Sequence, residues 1–129
     1  MKPAKDGSEA LFFDTYALYA ITHGSANYSL HVAGARIATT YMNLYELYHM
    51  TYQESPEAAE RAFQFLLSAA VHPEPETIKK AAQFRIKHAR LKLSYIDCLG
   101  YMVAQELKFP FLTGDEGFRG LPGVKFVKE

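Results

Sequence analysis

The sequence predicts an α/β fold, a three-layer sandwich in which a parallel sheet of about five strands is flanked by helices. Two observations carry this. Five short apolar runs of strand length recur along the chain, at 10–13, 35–39, 70–72, 109–112 and 124–127. Longer stretches with helical periodicity separate them, so successive strands need crossovers and pair in parallel with right-handed connections. At 129 residues, 49% of them hydrophobic and 22% charged, the chain has the size and composition of one globular domain with a buried core. No internal repeat, low-complexity tract or linker divides residues 1–129.

Ala10-Leu11-Phe12-Phe13 is uninterrupted by polar residues and ends at Asp14, as expected of a first strand buried on both faces. A helix can follow directly, with Ala17, Leu18 and Ile21 inward and Gly24 as its stop. Ser25 to Gly34 is compatible with helix or loop, and Ala35 to Thr39 reads as the second strand. Tyr41, Leu44, Tyr45, Tyr48 and Tyr52 recur at helical spacing, which predicts an amphipathic helix over 40–54. Its tyrosines are expected in the core or at a dimer interface. Ser55-Pro56 opens the next helix, serine as N-cap and proline in the first turn, with Ala59, Ala62, Phe63, Leu66 and Ala70 inward. Ala70 to His72 forms a short strand before Pro73, and Pro75 starts a helix running to about Arg90. Ser94 stands three residues before Asp97, the spacing of a capping box, ahead of Cys98, Leu99, Tyr101, Met102 and Val103. Phe109 to Leu112 and Val124 to Val127 supply the last strands, with a glycine-rich irregular loop between them.

Several function classes are excluded early. No apolar run approaches the roughly 20 residues of a spanning helix. Met1 to Glu9 carries four charges and lacks the apolar core of a secretory signal, so a cytoplasmic location is expected. The one cysteine, Cys98, rules out an internal disulfide or a multi-cysteine metal site and reads as a small buried hydrophobe. The five histidines form no HxH, HxxH or HxxxH pair, which leaves a histidine-built zinc site without support. A P-loop and GxGxxG are both absent. Tyr16 stands where a dehalogenase-like phosphatase needs its second aspartate, and no acidic pair near Asp14 suggests a receiver domain.

Four acids occupy unusual places. Asp14 directly follows the first buried strand, and in open α/β sheets ligands bind beyond the carboxyl ends of strands. Asp115 stands in the same relation to the Phe109–Leu112 strand. Asp97 falls in the first turn of a helix, and Glu46 lies among tyrosines and leucines with Asn43 one turn before it on the same face. Taken singly, each could be a cap, a turn residue or plain surface. If the strands bearing Asp14 and Asp115 are neighbours, the acids reach one crevice. Carboxylates crowded there repel unless a cation neutralises them, and an all-oxygen site suits Mg²⁺ or Mn²⁺. Such an ion is suited to hydrolysing a phosphodiester.

Phe12-Phe13-Asp14-Thr15, Asn43-Leu44-Tyr45-Glu46-Leu47, Leu93-Ser94-Tyr95-Ile96-Asp97 and Leu112-Thr113-Gly114-Asp115 with Phe118 together resemble a PIN domain, and most of all its VapC-type toxin ribonucleases. The resemblance covers nearly the whole chain. It implies that Asp14, Glu46, Asp97 and Asp115 are the metal-binding and catalytic acids. Thr15 and Thr113 match supporting hydroxyls, and Ser94 matches the residue that opens the helix of the third acid. Asn43 joins this supporting set. The implied activity is a Mg²⁺- or Mn²⁺-dependent endoribonuclease, commonly a homodimer neutralised by a small antitoxin. A housekeeping RNA-processing nuclease and a non-catalytic PIN-fold binding module are the alternatives. Many relatives carry a further acid two residues after the last, where this chain has Gly117, and Glu116 is only adjacent.

Net charge is zero, unusual for an RNA binder, but the charge is unevenly spread. Lys79 to Lys92 holds six basic residues and no acid, leaving the other 115 residues with a balance of −6. This run is either a solvated helix face or the RNA track, and Lys80, Lys87, Arg90 and Lys92 are its candidate RNA contacts.

Overall fold

A computed structural model describes residues 9–129. Most of the charged N-terminal stretch that argues against a secretory signal lies outside the described residues. The elements follow in the order β1 (Ala10–Phe13), α1 (Thr15–Thr22), α2 (Ala26–Val32), β2 (Arg36–Thr40), α3 (Tyr41–Glu54), α4 (Pro56–Leu66), β3 (Ala70–Val71), α5 (Pro75–Lys87), α6 (Tyr95–Leu107), β4 (Phe111–Thr113) and β5 (Val124–Phe126). The five strands form one parallel sheet in the order β3-β2-β1-β4-β5.

β1 is central, and its side chains alternate between the two faces. Leu11 and Phe13 join a core with Leu18 of α1, Leu44 and Leu47 of α3 and Leu66 of α4. Phe12 faces the opposite core with Tyr101 of α6, Phe111 of β4 and Phe118. Being covered on both sides is why β1 reads as an unbroken apolar run. Strand order turns back at β1, which pairs with β2 on one side and β4 on the other, through Phe12 to Phe111 and Phe13 to Leu112. The crevice beyond the carboxyl ends of these strands is the topological switch point of the sheet.

Local signals explain most boundaries. Asp14, Ser25, Thr40, Ser55 and Ser94 each accept a backbone N–H from the first turn of the following helix. Four expectations need correction. The fourth strand is Phe111–Thr113 rather than Phe109–Leu112, and the second is shifted by one residue. The helix from Pro75 ends at Lys87, with a 3₁₀ turn carrying the chain through Leu91. Of the two places expected for the α3 tyrosines, the core is not taken by Tyr45 and Tyr52, which are 64% and 50% exposed, while Tyr48 is half-buried with its ring against Phe63. Asn43, Leu44, Leu47 and Thr51 form the buried face instead, one position, and so about 100° of helix, away from the tyrosine row.

Candidate metal centre

Asp14 leaves β1 in extended conformation and caps α1, its Oδ1 accepting the Ala17 N–H at 2.9 Å. It is 3% exposed. Its pKa is raised from 3.8 to about 7, and burial is the largest cause. Hydrogen bonds from Thr113 and Ala17 pull it back, and the charges of Asp97 and Asp115 push it further up. Thr113 is tied to Asp115, its Oγ1 accepting the Asp115 N–H at 3.0 Å, and its hydroxyl helps to hold down the pKa of Asp14. Asp115 in turn caps a 3₁₀ turn, Oδ1 taking the Gly117 N–H at 2.9 Å.

Asp97 enters from α6. The capping box is complete, with Asp97 Oδ2 accepting the Ser94 N–H at 2.9 Å and Ser94 Oγ accepting the Asp97 N–H at 3.0 Å. Its pKa is raised by burial, lowered by Ser94, and raised again by Asp115 and Glu46. Glu46 arrives half-buried from the second turn of α3. Below it Asn43 is a buried hub. Its Oδ1 accepts the Thr40 hydroxyl at 2.6 Å, and its Nδ2 donates to Thr15 Oγ1 at 3.1 Å, tying α3 to the first turn of α1.

Asp14, Asp97 and Asp115 therefore lie close enough around one crevice for neighbouring charges to act on Asp14 and Asp97, and Glu46 is close enough to act on Asp97. Among the described residues no three acidic, imidazole or thiol side chains close on a single point at ligand distance. Asp14, Asp97 and Asp115 each hold a backbone amide, as ordinary caps do. A carboxylate accepts about four bonds, so capping leaves capacity for a cation. The donor set is all oxygen and the carboxylates are partly desolvated, a combination that fits Mg²⁺ or Mn²⁺ and not a soft ion.

Glu116 does not join them. It lies against Arg119, with Nε at 2.8 Å and Nη2 at 3.1 Å, and near Lys128 Nζ at 3.5 Å. A Cβ at Gly117 would come to 2.8 Å from Leu93 Cδ2 and 3.4 Å from Asp115 Oδ1, so a larger residue there has to displace its neighbours. Lys80, Lys87, Arg90 and Lys92 are all exposed. The other two residues of the basic run are engaged. Lys79 pairs with Glu76 at 3.0 Å, and Arg85 donates to Leu93 O at 3.0 Å while stacking on Tyr95. Lys128 was not singled out by sequence: its Nζ donates to Gly114 O at 3.2 Å, beside Asp115. Nothing in the residue pattern signals that the segment after β5 folds back to this turn.

The PIN domain profile matches residues 11–124. The chain belongs to the PIN domain family. Among solved structures, this PIN domain is similar to a chain of a toxin–antitoxin complex from Klebsiella pneumoniae, with a TM-score of 0.74 at 18% identity over 89% of this chain and 95% of that one. It is equally similar to VapC20 of Mycobacterium tuberculosis, a toxin that cleaves the sarcin–ricin loop, with a TM-score of 0.74 at 18% identity over 87% and 95% of the two chains. VapBC2 of Rickettsia felis, bound to a promoter DNA fragment, gives a TM-score of 0.70 at 16% identity over 92% and 99%. No curated protein sequence matches.

Proposed function

We propose that this PIN domain is a divalent-metal-dependent endoribonuclease, the toxin of a toxin–antitoxin pair. The observation that supports the reading is the nearness of Asp14, Asp97 and Asp115 at the switch point, with Glu46 beside Asp97: burial first, and then the neighbouring carboxylates, raise the pKa of Asp14 and Asp97. Asp14, Asp97 and Asp115 would hold Mg²⁺ or Mn²⁺, and Glu46 would join them or orient water. When bound, the ion offsets charge on the scissile phosphate and acidifies the attacking water. The chain's own part is positioning. Thr113 holds the Asp115 backbone, Ser94 fixes Asp97, and Asn43 through Thr15 holds the two helices that carry Asp14 and Glu46.

Solved neighbours that are VapBC assemblies support an antitoxin as partner. A second copy of this chain is the other expected partner, on the resemblance to VapC-type proteins. No helix among the described residues is long and apolar enough to cross a membrane.

Incubation of the purified protein with a panel of RNAs in Mn²⁺, against the same reaction in chelator, tests the reading. The parent should cleave only with metal, and Asp14→Asn should retain the fold while cleavage collapses. RNAs left intact by the parent, together with indistinguishable effects of parent and Asp14→Asn on expressing cells, would favour a binding module instead. Cleavage confined to a ribosomal RNA precursor, with no toxicity on expression, would favour the housekeeping nuclease.

A further inference from the structure

We propose that the RNA backbone crosses the carboxylate crevice over the Gly114–Gly117 turn, gripped by Lys92 on one side of that turn and Lys128 on the other. This rests on the nuclease reading above and specifies the substrate path at its site. Two separate segments close on the turn that carries Asp115, and each brings a lysine.

On the first side, Leu91, Lys92 and Leu93 run between α5 and α6. Leu93 is buried, and the Cβ position at Gly117 lies 2.8 Å from Leu93 Cδ2 and 3.5 Å from Leu91 O. Lys92, between these two leucines, is exposed. Its backbone is left-handed, φ 55° and ψ 36°, a conformation that L side chains rarely adopt. Two residues later the Ser94 N–H is held by Asp97 Oδ2, so Lys92 leads directly into the third acid.

On the second side, the segment after β5 is fastened at three points. The Val127 N–H donates to Thr113 O at 2.9 Å, the Glu129 N–H donates to the Tyr16 hydroxyl at 2.9 Å, and Asn27 Nδ2 donates to Lys128 O. Gly114 lies so close beneath that its Cβ would meet Val127 O at 2.6 Å and the Tyr16 ring at 2.2 Å. The segment is thus seated on the turn, and Lys128 Nζ reaches Gly114 O at 3.2 Å. Its acidic neighbour, Glu116 at 3.5 Å, already makes two shorter bonds to Arg119. An exposed pair of that kind holds Lys128 weakly, and a phosphate can displace it.

Electrostatics supplies the need. A crevice of four carboxylates on a chain of zero net charge repels a polyanion, and phosphate contacts are what set register on a nucleic acid. Within the basic run Arg85 is held by Leu93 O and Tyr95, and Lys92 is the member that lies between the two leucines placed against the turn.

The full chain carrying Asp14→Asn, which leaves RNA uncut, is titrated with fluorescein-labelled polyuridine in Mn²⁺ buffer across a salt series. Lys92→Gly relieves the left-handed backbone while removing the charge, and Lys128→Gln retains a donor for Gly114 O. Each should reduce the salt slope of binding by about 0.7, and the pair by roughly twice that. Arginine at either position should restore the slope. Lys108→Gly is the control: Lys108 has the same left-handed backbone at φ 60° but ends α6 away from the acids, and its slope should stay parental. Thermal unfolding of Lys92→Gly at or above the parental temperature excludes misfolding as the cause. Parental slopes for Lys92→Gly and Lys128→Gln, or slopes moved only by Lys80→Gln and Lys87→Gln, overturn the proposal while the nuclease reading stands. A protein that neither binds nor cuts RNA overturns both.

Discussion

Asp14 caps a helix and carries a carboxylate into the protein interior, and the second role works against the first. Its folded-state pKa of about 7 lies above the ordinary 3.8. Between those values the folded chain keeps a proton that the unfolded chain releases, so stability falls as pH rises through this window. Above pH 7 the cost is complete, and below 3.8 it vanishes. A shift of this size caps the cost at ~4 kcal/mol. Asn caps helices as well as Asp, so Asp14→Asn removes the charge and keeps the bond to Ala17. In chelator, Asp14→Asn should be about 1–3 kcal/mol more stable than the parent above pH 7 by urea unfolding, and equal to it near pH 4. Equal stability at both pH values would mean that Asp14 bears no buried charge. Gly114 offers a second test at this scale. A Cβ there meets the Val127 backbone at 2.6 Å as well as the Tyr16 ring, whereas at Gly117 the nearest atom is the end of a leucine side chain. Gly114→Ala should therefore cost about 1–3 kcal/mol in the same assay, and Gly117→Ala less.

Elements were legible where one local signal matched one structural cause. β1 showed as an apolar run because both its faces are covered, and α4 and α6 showed through serine caps with proline or aspartate at the right offset. α2 was undecided because only Tyr28 and Val32 of its seven residues are buried, too few to draw an apolar stripe. β3 is two residues long and exists through its pairing with Thr39 and Thr40, a tertiary cause. The tyrosine row of α3 marks the helix but not its inward face, because tyrosine periodicity and buried periodicity differ by one residue. In the site, Asp14 and Asp115 were legible from their position after strands, and Asp97 from its capping box. Lys128 and the diversion of Glu116 to Arg119 depend on chain segments folding back, which spacing does not encode. α6 also yields a prediction. Ser94→Ala breaks the bond from the Asp97 N–H and loosens the carboxylate that Ser94 holds in return. It should cost about 1 kcal/mol of stability and weaken Mn²⁺ binding by calorimetry. Unchanged Mn²⁺ affinity would make the capping box a helix stop with no bearing on the site.

The whole molecule concentrates a local cost at one end of a well-packed sheet. Two cores enclose β1, and they hold Asp14, Asp97 and Asp115 near one another although like charges oppose it. Such a fold should be unusually responsive to a divalent cation, which binds the folded state and needs its carboxylates deprotonated. Ligand at a hundredfold excess over Kd contributes ~2.7 kcal/mol of stability, enough for several degrees in Tm at this chain length. The sign of the pH dependence is more telling than the size. In chelator, Tm should fall from pH 5 to pH 8 as Asp14 gives up its proton inside the fold. In Mn²⁺ the same titration creates the binding site, so Tm should hold or rise over that interval. Asp14→Asn should lose both trends. If parental Tm followed the same course in chelator and in Mn²⁺, the acids would be acting only as caps, and their closeness would serve the helices rather than an ion.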